Sequence, residues 1–469
     1  MSRDVHVLVI GAGGLGCPAG LALAAEGVRR VTFIDPDVVE PSNLPRQVLF
    51  EPEDVGRPKA HAAAARLASI ADIQVEGVHD RFDEQRLARL GLAADVWIDA
   101  TDGAWVKDWV SRAAVYARRP LAHAAGLRSE GRRLAVPAGG RPCLACLFGR
   151  LDGDGGSCAD LGVWNGVVGV TGALAAALAV RLAQGEVPRP TYDVLDFASS
   201  RAFALGASPD PDCPVCSGEA VPPGELAGGP TCAVGEPSSA DAAPPLAVAT
   251  TLDLVTTRCP LNLLRAREAL DAAAPGSRVR IRLGAEGAAT VPDGVRAAGH
   301  LVVAAVAMED GLDLVVEVVG TGASIAIEDT LDLERYARQV VLPEVGLAGQ
   351  RRLLSAEVVV EGHGLTARVA ARYLAAAGVR VLRRSGTQGV AAVLGTGTRL
   401  APIARDGSLV VGEVGAGSAS VPSCRGAAAV ALGALLADAV ERRIVQPDVE
   451  RGASLDLGGV VGQKRFSCS

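Results

Sequence analysis

Val5-His6-Val7-Leu8-Val9-Ile10-Gly11-Ala12-Gly13-Gly14-Leu15-Gly16 opens the stretch that decides the fold. It continues through an Ala/Leu-rich segment to Val31-Thr32-Phe33-Ile34-Asp35-Pro36-Asp37. The run before the glycines reads as a buried strand, and Cys17 to Glu26 reads as a helix. Glycines let the backbone turn tightly and approach a pyrophosphate. The helix that follows offers free N–H groups and the positive end of its dipole. Asp35 closes the second strand 19 residues beyond Gly16, where a carboxylate meets a ribose hydroxyl. These residues predict a nucleotide site on a strand–turn–helix–strand frame.

The glycines alone fit a dinucleotide as well as any other nucleotide, and the segment after Asp35 breaks that tie. Asn43 and Arg46 of Ser42-Asn43-Leu44-Pro45-Arg46-Gln47 fall just past the strand end, and Lys59 opens the next helix. Arginine and lysine there would hold a triphosphate and stabilise charge developing at its α-phosphate. Val96-Trp97-Ile98-Asp99-Ala100-Thr101-Asp102 reads as a strand ending in two acids. Asp102 at that carboxyl edge faces the crevice and is placed to ligate Mg²⁺, while Asp99 caps or orients the loop. Strand-like runs at 5–10, 31–34, 95–98 and 120–123 alternate with helices, which predicts a doubly wound α/β layout.

The chain has 469 residues, enough for two to four domains with their own cores. A net charge of −7 without a basic run argues against nucleic acid as a partner. Only Lys59, Lys107 and Lys464 are lysines among 46 basic residues, so a lysine inside a motif is informative. The Ala/Gly/Val stretches 166–180 and 426–440 are short for membrane spans and read as buried or interface helices, so no membrane is expected. No signal-peptide pattern opens the chain, and the cytoplasm is the expected address. Ten cysteines in that setting point to metal or sulfur chemistry rather than a disulfide framework.

Gly11–Gly16, Asp35-Pro36-Asp37, Ser42–Gln47, Gly56-Arg57-Pro58-Lys59 and Asp99-Ala100-Thr101-Asp102 together resemble the ubiquitin-activating-enzyme family. The likeness is closest to its MoeB/ThiF/HesA adenylyltransferases and covers residues 5–217. Those enzymes adenylate the C-terminal glycine of a ubiquitin-like sulfur carrier. The resemblance implies that Gly11, Gly13, Gly14, Gly16, Asp35 and Asp37 cradle ATP. It implies that Asn43, Arg46 and Lys59 bind its phosphates, and that Asp102 holds Mg²⁺ and is catalytic. Gly103 and Lys107 depart from the family, which places Asn and Arg there.

Cys143-Leu144-Ala145-Cys146 and Cys213-Pro214-Val215-Cys216 are paired CxxC turns, suited to tetrahedral Zn²⁺, with redox dithiols as the other reading. The gap between them is long for an autonomous finger and fits a clip joining distant segments. Cys158 lies in a Gly/Ser-rich loop, where a thiol becomes a nucleophile if a neighbour lowers its pKa.

Residues 218–250 are rich in Pro, Gly, Ala and Ser and read as a linker. After it, Cys259-Pro260 precedes an amphipathic helix with Leu263, Leu264 and Leu270. A helix N-terminus stabilises a thiolate, and proline is tolerated at the first helical position; the other reading is a buried structural cysteine. Residues 251–320 resemble TusA, a small sulfurtransferase. That implies Cys259 carries a persulfide, although Asn262 stands where the family has a second proline.

Glu334-Arg335-Tyr336-Ala337-Arg338-Gln339 and Leu342-Pro343-Glu344-Val345-Gly346 resemble the N-terminal arm of a MoeB/ThiF protein. A strand and helix follow, but Glu361–Thr366 stands in place of the glycine loop and no carboxylate ends the next strand at Arg384. This reads as an internal repeat with a dead nucleotide site. The first copy begins four residues before its strand, without such an arm. The resemblance therefore implies a pseudo-dimer within one chain, with Arg338 reaching the phosphates as an arginine finger does.

The reading is α/β. A Rossmann-like adenylyltransferase domain with a zinc knuckle (1–217) and a linker (218–250) precede a small α+β TusA-like domain (251–320). A degenerate Rossmann-like domain (321–469) carries the arginine arm. Function would be ATP- and Mg²⁺-dependent adenylation of a carrier ending in Gly-Gly, with Zn²⁺ contributing folding stability and no catalysis. Sulfur transfer from Cys259, with or without Cys158, would follow, fed by a donor such as a cysteine desulfurase. Rival readings are adenylation of a peptide or other carboxylate, a non-catalytic scaffold for a sulfur carrier, and an NAD-linked oxidoreductase.

Overall fold

The computed structural model describes residues 5–149, 162–186, 190–199, 201–217, 222, 248–257, 261–297, 300–308, 311–319, 332–342, 344–384, 391–394, 399–405, 408–413 and 426–446. They fall into two compact units, residues 1–227 with 342–469, and residues 228–341.

The first unit is built on an eight-stranded sheet in the order β3-β2-β1-β4-β5-β6-β7-β8. Its strands are β1 (His6–Ile10), β2 (Arg30–Ile34), β3 (Gln74–Val78), β4 (Val96–Asp99), β5 (Leu121–Leu127), β6 (Glu130–Val136), β7 (Thr191–Asp196) and β8 (Arg201–Gly206). The first five are parallel and the rest antiparallel. Every residue of β1 is buried, as a central parallel strand covered on both faces requires. Helices α1 (Gly16–Ala25), α2 (Lys59–Ile70), a single turn α3 (Glu84–Arg86), α4 (Ala104–Tyr116), a short α5 (Leu144–Phe148) and α6 (Asn165–Ala183) surround it. The strands and helices expected at 5–10, 31–34, 95–98, 120–123 and 17–26 are all present, each within a few residues of its expected bounds.

A second sheet in this unit has the order β14-β13-β15-β16-β17, from β13 (Glu357–Glu361), β14 (Arg380–Arg384), β15 (Ala391–Leu394), β16 (Arg399–Arg405) and β17 (Ser408–Glu413). The unit's later helices are α10 (Gly346–Ser355), α11 (Gly364–Ala376) and α12 (Gly426–Val445). The turns of β13–α11–β14 match those of β1–α1–β2. Gly362 (φ +104°) stands where Gly11 (φ +97°) stands, and Gly378 (φ +97°) where Gly27 (φ +81°) stands. Both Gly11 and Gly362 donate their N–H to the last residue of the neighbouring strand, Ile34 at 2.8 Å and Arg384 at 3.1 Å. This corrects the register read from sequence: Glu361 ends β13 in the position of Ile10, paired with Arg384, and Gly362 opens the turn.

Residues from both stretches of the unit share one hydrophobic core, in which Val7, Val9, Leu174 and Ala176 join Val358, Tyr373, Val430 and Leu436. Its centre is α6, apolar on all sides and packed on α1, β5 and α12. Among the described residues α6 is the one helix long and apolar enough to cross a membrane, and 83% of its apolar window is buried within the fold. Gly169 makes the helix approach possible, since a Cβ there would stand 2.6 Å from Ala434 Cβ.

The second unit is a four-stranded sheet in the order β11-β12-β10-β9, from β9 (Thr250–Leu254), β10 (Arg278–Gly284), β11 (Leu301–Met308) and β12 (Gly311–Glu317). Helices α7 (Leu261–Ala272) and α8 (Ala285–Ala297) cover it around a core that includes Leu263, Leu270, Val279 and Ile281. A further helix, α9 (Leu333–Val340), packs on α7 within the same unit.

Candidate functional site

The chain leaves β1 toward β2 on one side of the sheet, while β4 lies on the other, so the crevice beyond β1 is a topological switch point. Ile10 pairs with both Ile34 and Asp99, which brings the ends of three strands level. Ala100 N–H donates to Ile10 O at 2.9 Å. A Cβ on Gly11 would stand 2.7 Å from Ala100 O, so only glycine fits beside that backbone. The glycine turn, Asp35 and the Ala100–Asp102 segment therefore meet at one edge.

Asp35 is buried, accepting the Ala12 N–H at 2.7 Å and the Asp37 N–H at 2.9 Å. Burial pushes its carboxyl above the usual range, against the pull of Lys59 and the Ala12 N–H. Lys59 is the first residue of α2 and reaches back to Asp37, Nζ to Oδ2 at 2.8 Å. Asn43 is buried in a single 3₁₀ turn, where its Oδ1 accepts the Glu40 N–H at 3.2 Å. Arg46 is also buried and donates Nη1 to Ser42 O at 2.7 Å. Its Cδ and the Gln47 Nε2 stand 3.6 and 3.7 Å from where Cβ atoms on Gly14 and Gly13 would be. Gln47 Oε1 is buried without a partner among the described residues, an unfilled acceptor at the wall of the turn. Arg46 and Gln47 thus border the glycine turn, and Asp102 is exposed beyond β4. Backbone N–H groups, two buried cations and an exposed carboxylate at one strand edge can hold a phosphate chain and offer a ligand to a divalent ion.

Beneath this edge lies a buried charged group that sequence reasoning did not assemble. Asp99 Oδ2 stands 2.7 Å from His123 Nδ1, Lys107 Nζ lies 3.4 Å from each Asp99 oxygen, and Asp99 Oδ1 accepts from Thr101 N and Oγ1 at 3.1 and 2.7 Å. Lys107 also donates to Ala124 O at 2.7 Å. Burial alone would raise the Asp99 carboxyl, but Lys107 and His123 overturn that and hold it well below the usual carboxylate range. Burial lowers His123 against the opposing pull of Asp99, leaving it neutral near pH 7. The expectation that Asp99 orients its loop is met through Thr101. The signal available in sequence was Lys107, one of only three lysines in the chain.

Cys143, Cys146, Cys213 and Cys216 converge, their sulfurs all within 4.8 Å of one another. Neighbouring pairs stand 3.9, 3.6 and 3.3 Å apart. A tetrahedral Zn²⁺ with Zn–S bonds of about 2.3 Å has sulfurs roughly 3.8 Å apart, so the residues fit. Burial pushes the Cys143 thiol up, and only a cation would offset four neighbouring thiolates. The ligand turns join α5 to the segment after β8, as expected of a clip between distant segments. Cys17 is buried and pushed up to about 12, which makes it inert.

Arg338 lies on α9 in the second unit, half-buried, with its Nε unpartnered among the described residues. Cys158 and Cys259 lie outside the described residues.

A model of the ThiF family matches residues 2–215. Sulfur carrier protein ThiS adenylyltransferase of Escherichia coli is 35% identical over 223 residues, 47% of this chain and 89% of that protein. SAMP-activating enzyme E1 of Haloferax volcanii is 36% identical over 219 residues, 45% of this chain and 80% of that protein. Adenylyltransferase and sulfurtransferase uba4 of Emericella nidulans is 35% identical over 237 residues, 47% of this chain and 49% of that longer protein.

Proposed function

The chain belongs to the ThiF family, and from that premise we propose that it adenylates the C-terminal glycine of a ubiquitin-like sulfur carrier and then places sulfur on it. The observation that carries this reading is the convergence of Arg46, Gln47, Asp35 and the Lys59–Asp37 pair around the turn at Gly11, inside the segment that matches those adenylyltransferases.

A carrier carboxylate oxygen attacks the α-phosphorus of ATP, the bond to the β-phosphate oxygen breaks, and pyrophosphate leaves. The carboxylate is already a nucleophile, so alignment and charge neutralisation matter more than a general base. The turn's N–H groups, Asn43, Arg46 and Lys59 hold the phosphates, and Asp35 accepts a ribose hydroxyl. Mg²⁺, held by Asp102, would neutralise phosphate charge.

Residues 251–320 supply the sulfur in this reading. Cys259 falls between β9 and α7 in sequence, in a β9-α7-β10-α8-β11-β12 order that suits a small α+β carrier like TusA. The outer sulfur of a Cys259 persulfide attacks the acyl-adenylate carbonyl and AMP leaves. A second thiol, Cys158 or an external one, cleaves the resulting S–S bond and releases the thiocarboxylate, forming a disulfide with Cys259. A dithiol reductant then returns this disulfide to the Cys259 thiol, and a donor such as a cysteine desulfurase transfers its persulfide sulfur to that thiol to restore the persulfide. One linker joining both sites keeps their effective concentration near the millimolar range.

Residues 356–384 with α12 we read as a degenerate second copy, forming a pseudo-dimer with the first. The matched turns, the shared core and the arginine, not a carboxylate, that ends β14 at Arg384 support it. Arg338, on the arm before that copy, would complete the phosphate site.

The test is ATP–pyrophosphate exchange by the full chain with a Gly-Gly-ended carrier. Exchange should require the carrier and fall by about 10²-fold or more in Lys59→Ala and Arg338→Ala. No exchange with any such carrier would sink the reading, and unchanged exchange in Arg338→Ala would remove the arm from the site. Mass spectrometry of the carrier, showing oxygen replaced by sulfur only when Cys259 is intact, tests the second step.

A further inference from the structure

One side chain of the C-terminal stretch grips the segment that carries the phosphate-binding residues. Arg372, on α11, donates Nε to Val48 O, Nη1 to Glu51 Oε1 at 2.8 Å and Nη2 to Phe50 O at 3.3 Å. All three acceptors follow directly on Arg46 and Gln47, which border the glycine turn. The gripped segment has little regular structure of its own, only single 3₁₀ turns at Pro41–Asn43 and Pro52–Asp54. Its backbone bonds are short-range, such as Asn43 N–H to Glu40 O and Phe50 N–H to Gln47 O. A planar guanidinium bonded in three directions fixes position and orientation together, which a single ammonium cannot do. In α1 the counterpart position is Leu21, buried and apolar, so the matched helix does not itself demand an arginine here.

We infer that Arg372 is a positioning residue for the nucleotide site: through it, the copy that has lost its own site sets the placement of Arg46 in the other. The inference rests on reading residues 11–59 as an ATP site. It gives the degenerate copy a role in ATP affinity beyond filling the core. A second contact between the same two stretches supplies a control. Glu26 Oε1 accepts the Ala427 N–H at 2.8 Å at the start of α12, at the opposite end of α1 from the glycine turn.

The experiment uses the full chain and measures ATP affinity by calorimetry, with hydrogen exchange over residues 42–51, well below the melting temperature. Arg372→Ala should weaken ATP roughly tenfold and speed exchange in 42–51, since small misplacements of a binding group cost that much. Arg372→Lys should fall between Arg372→Ala and wild type. Glu26→Ala should lower the melting temperature but leave ATP affinity and 42–51 exchange as in wild type. Wild-type affinity in Arg372→Ala, or an equal loss in Glu26→Ala, overturns the inference while the ATP site stands. Failure of the wild-type chain to bind ATP overturns the reading beneath it, and the inference with it.

Discussion

His123 Nδ1 lies 2.7 Å from Asp99 Oδ2, and both side chains are buried. The pair makes stability depend on pH, with a sign fixed by both partners. His123 is lowered from its ordinary value by burial, so the unfolded chain takes up a proton below about pH 6.5 that the native chain refuses. Asp99 is held low by Lys107 and His123 against burial, so its contribution is present above about pH 4 and lost below it. Acid therefore destabilises from pH 6.5 downward and more steeply below pH 4. In urea titrations His123→Asn should flatten the upper part of that slope, by up to about 1.4 kcal/mol per pH unit. An unchanged slope would show that His123 does not titrate on unfolding.

Lys107→Met leaves Asp99 buried with its main cationic partner gone. Breaking a buried pair from one side costs about 3–5 kcal/mol. Replacing both, with Asp99→Asn and Lys107→Met, should cost less than the sum of the single changes, and additive losses in denaturant melts would argue against a coupled pair.

The full chain should carry about one zinc ion, read by elemental analysis, and Cys146→Ser or prolonged chelation should lower its melting temperature by several degrees. A closed four-cysteine set has no open position for chemistry, so ATP affinity measured below the lowered melt should stay at the wild-type value. Retained stability after complete metal loss would leave the cluster as dithiols.

The meeting of the glycine turn with Asp35 was legible in the sequence because it is local: a strand, a glycine turn and the residues just past the next strand are contiguous in the chain. The cysteine cluster was legible because two CxxC turns share one coordination chemistry whatever separates them. The Asp99–His123–Lys107 group was not, since β4, α4 and β5 meet only through parallel pairing and no spacing rule links 99 to 123. Nor was Arg372, one arginine among many on an amphipathic helix until α11 is packed against residues 48–51. The strands β6 to β8 escaped notice because they pair antiparallel at the sheet's margin, and β8, mostly exposed, lacks the apolar run that marks β1.

Glu441 is fully buried on α12, with Asn165 Nδ2 3.5 Å from each of its oxygens. Burial first, then repulsion from Asp438, raises its carboxyl well above the ordinary value. A raised group stabilises below its unfolded value near pH 4.5, and that contribution is lost as pH rises through the native value. Glu441→Gln should therefore match wild type near pH 4.5 and exceed it by about 1–3 kcal/mol at pH 8. A variant less stable than wild type at pH 8 would mean that the ionised carboxylate is wanted there.

Gly169 tests whether α6 and α12 are held together by close approach. A Cβ built on it stands 2.6 Å from Ala434 Cβ and 2.8 Å from Tyr373 Oη, so a methyl group there must push α11 or α12 aside. Overpacking of this kind costs about 1–3 kcal/mol, and Gly169→Ala should show it in denaturant melts. Tyr373→Phe is expected to be near neutral, since its buried hydroxyl has no hydrogen-bond partner among the described residues. The decisive variant is the exchange Gly169→Ala with Ala434→Gly, which moves one methyl from α12 to α6 and keeps the total volume. If the two helices meet there, the exchange should recover at least about 1 kcal/mol relative to the sum of the single changes. Strict additivity would place Gly169 and Ala434 out of contact, and with it would go the shared core on which the pseudo-dimer reading depends.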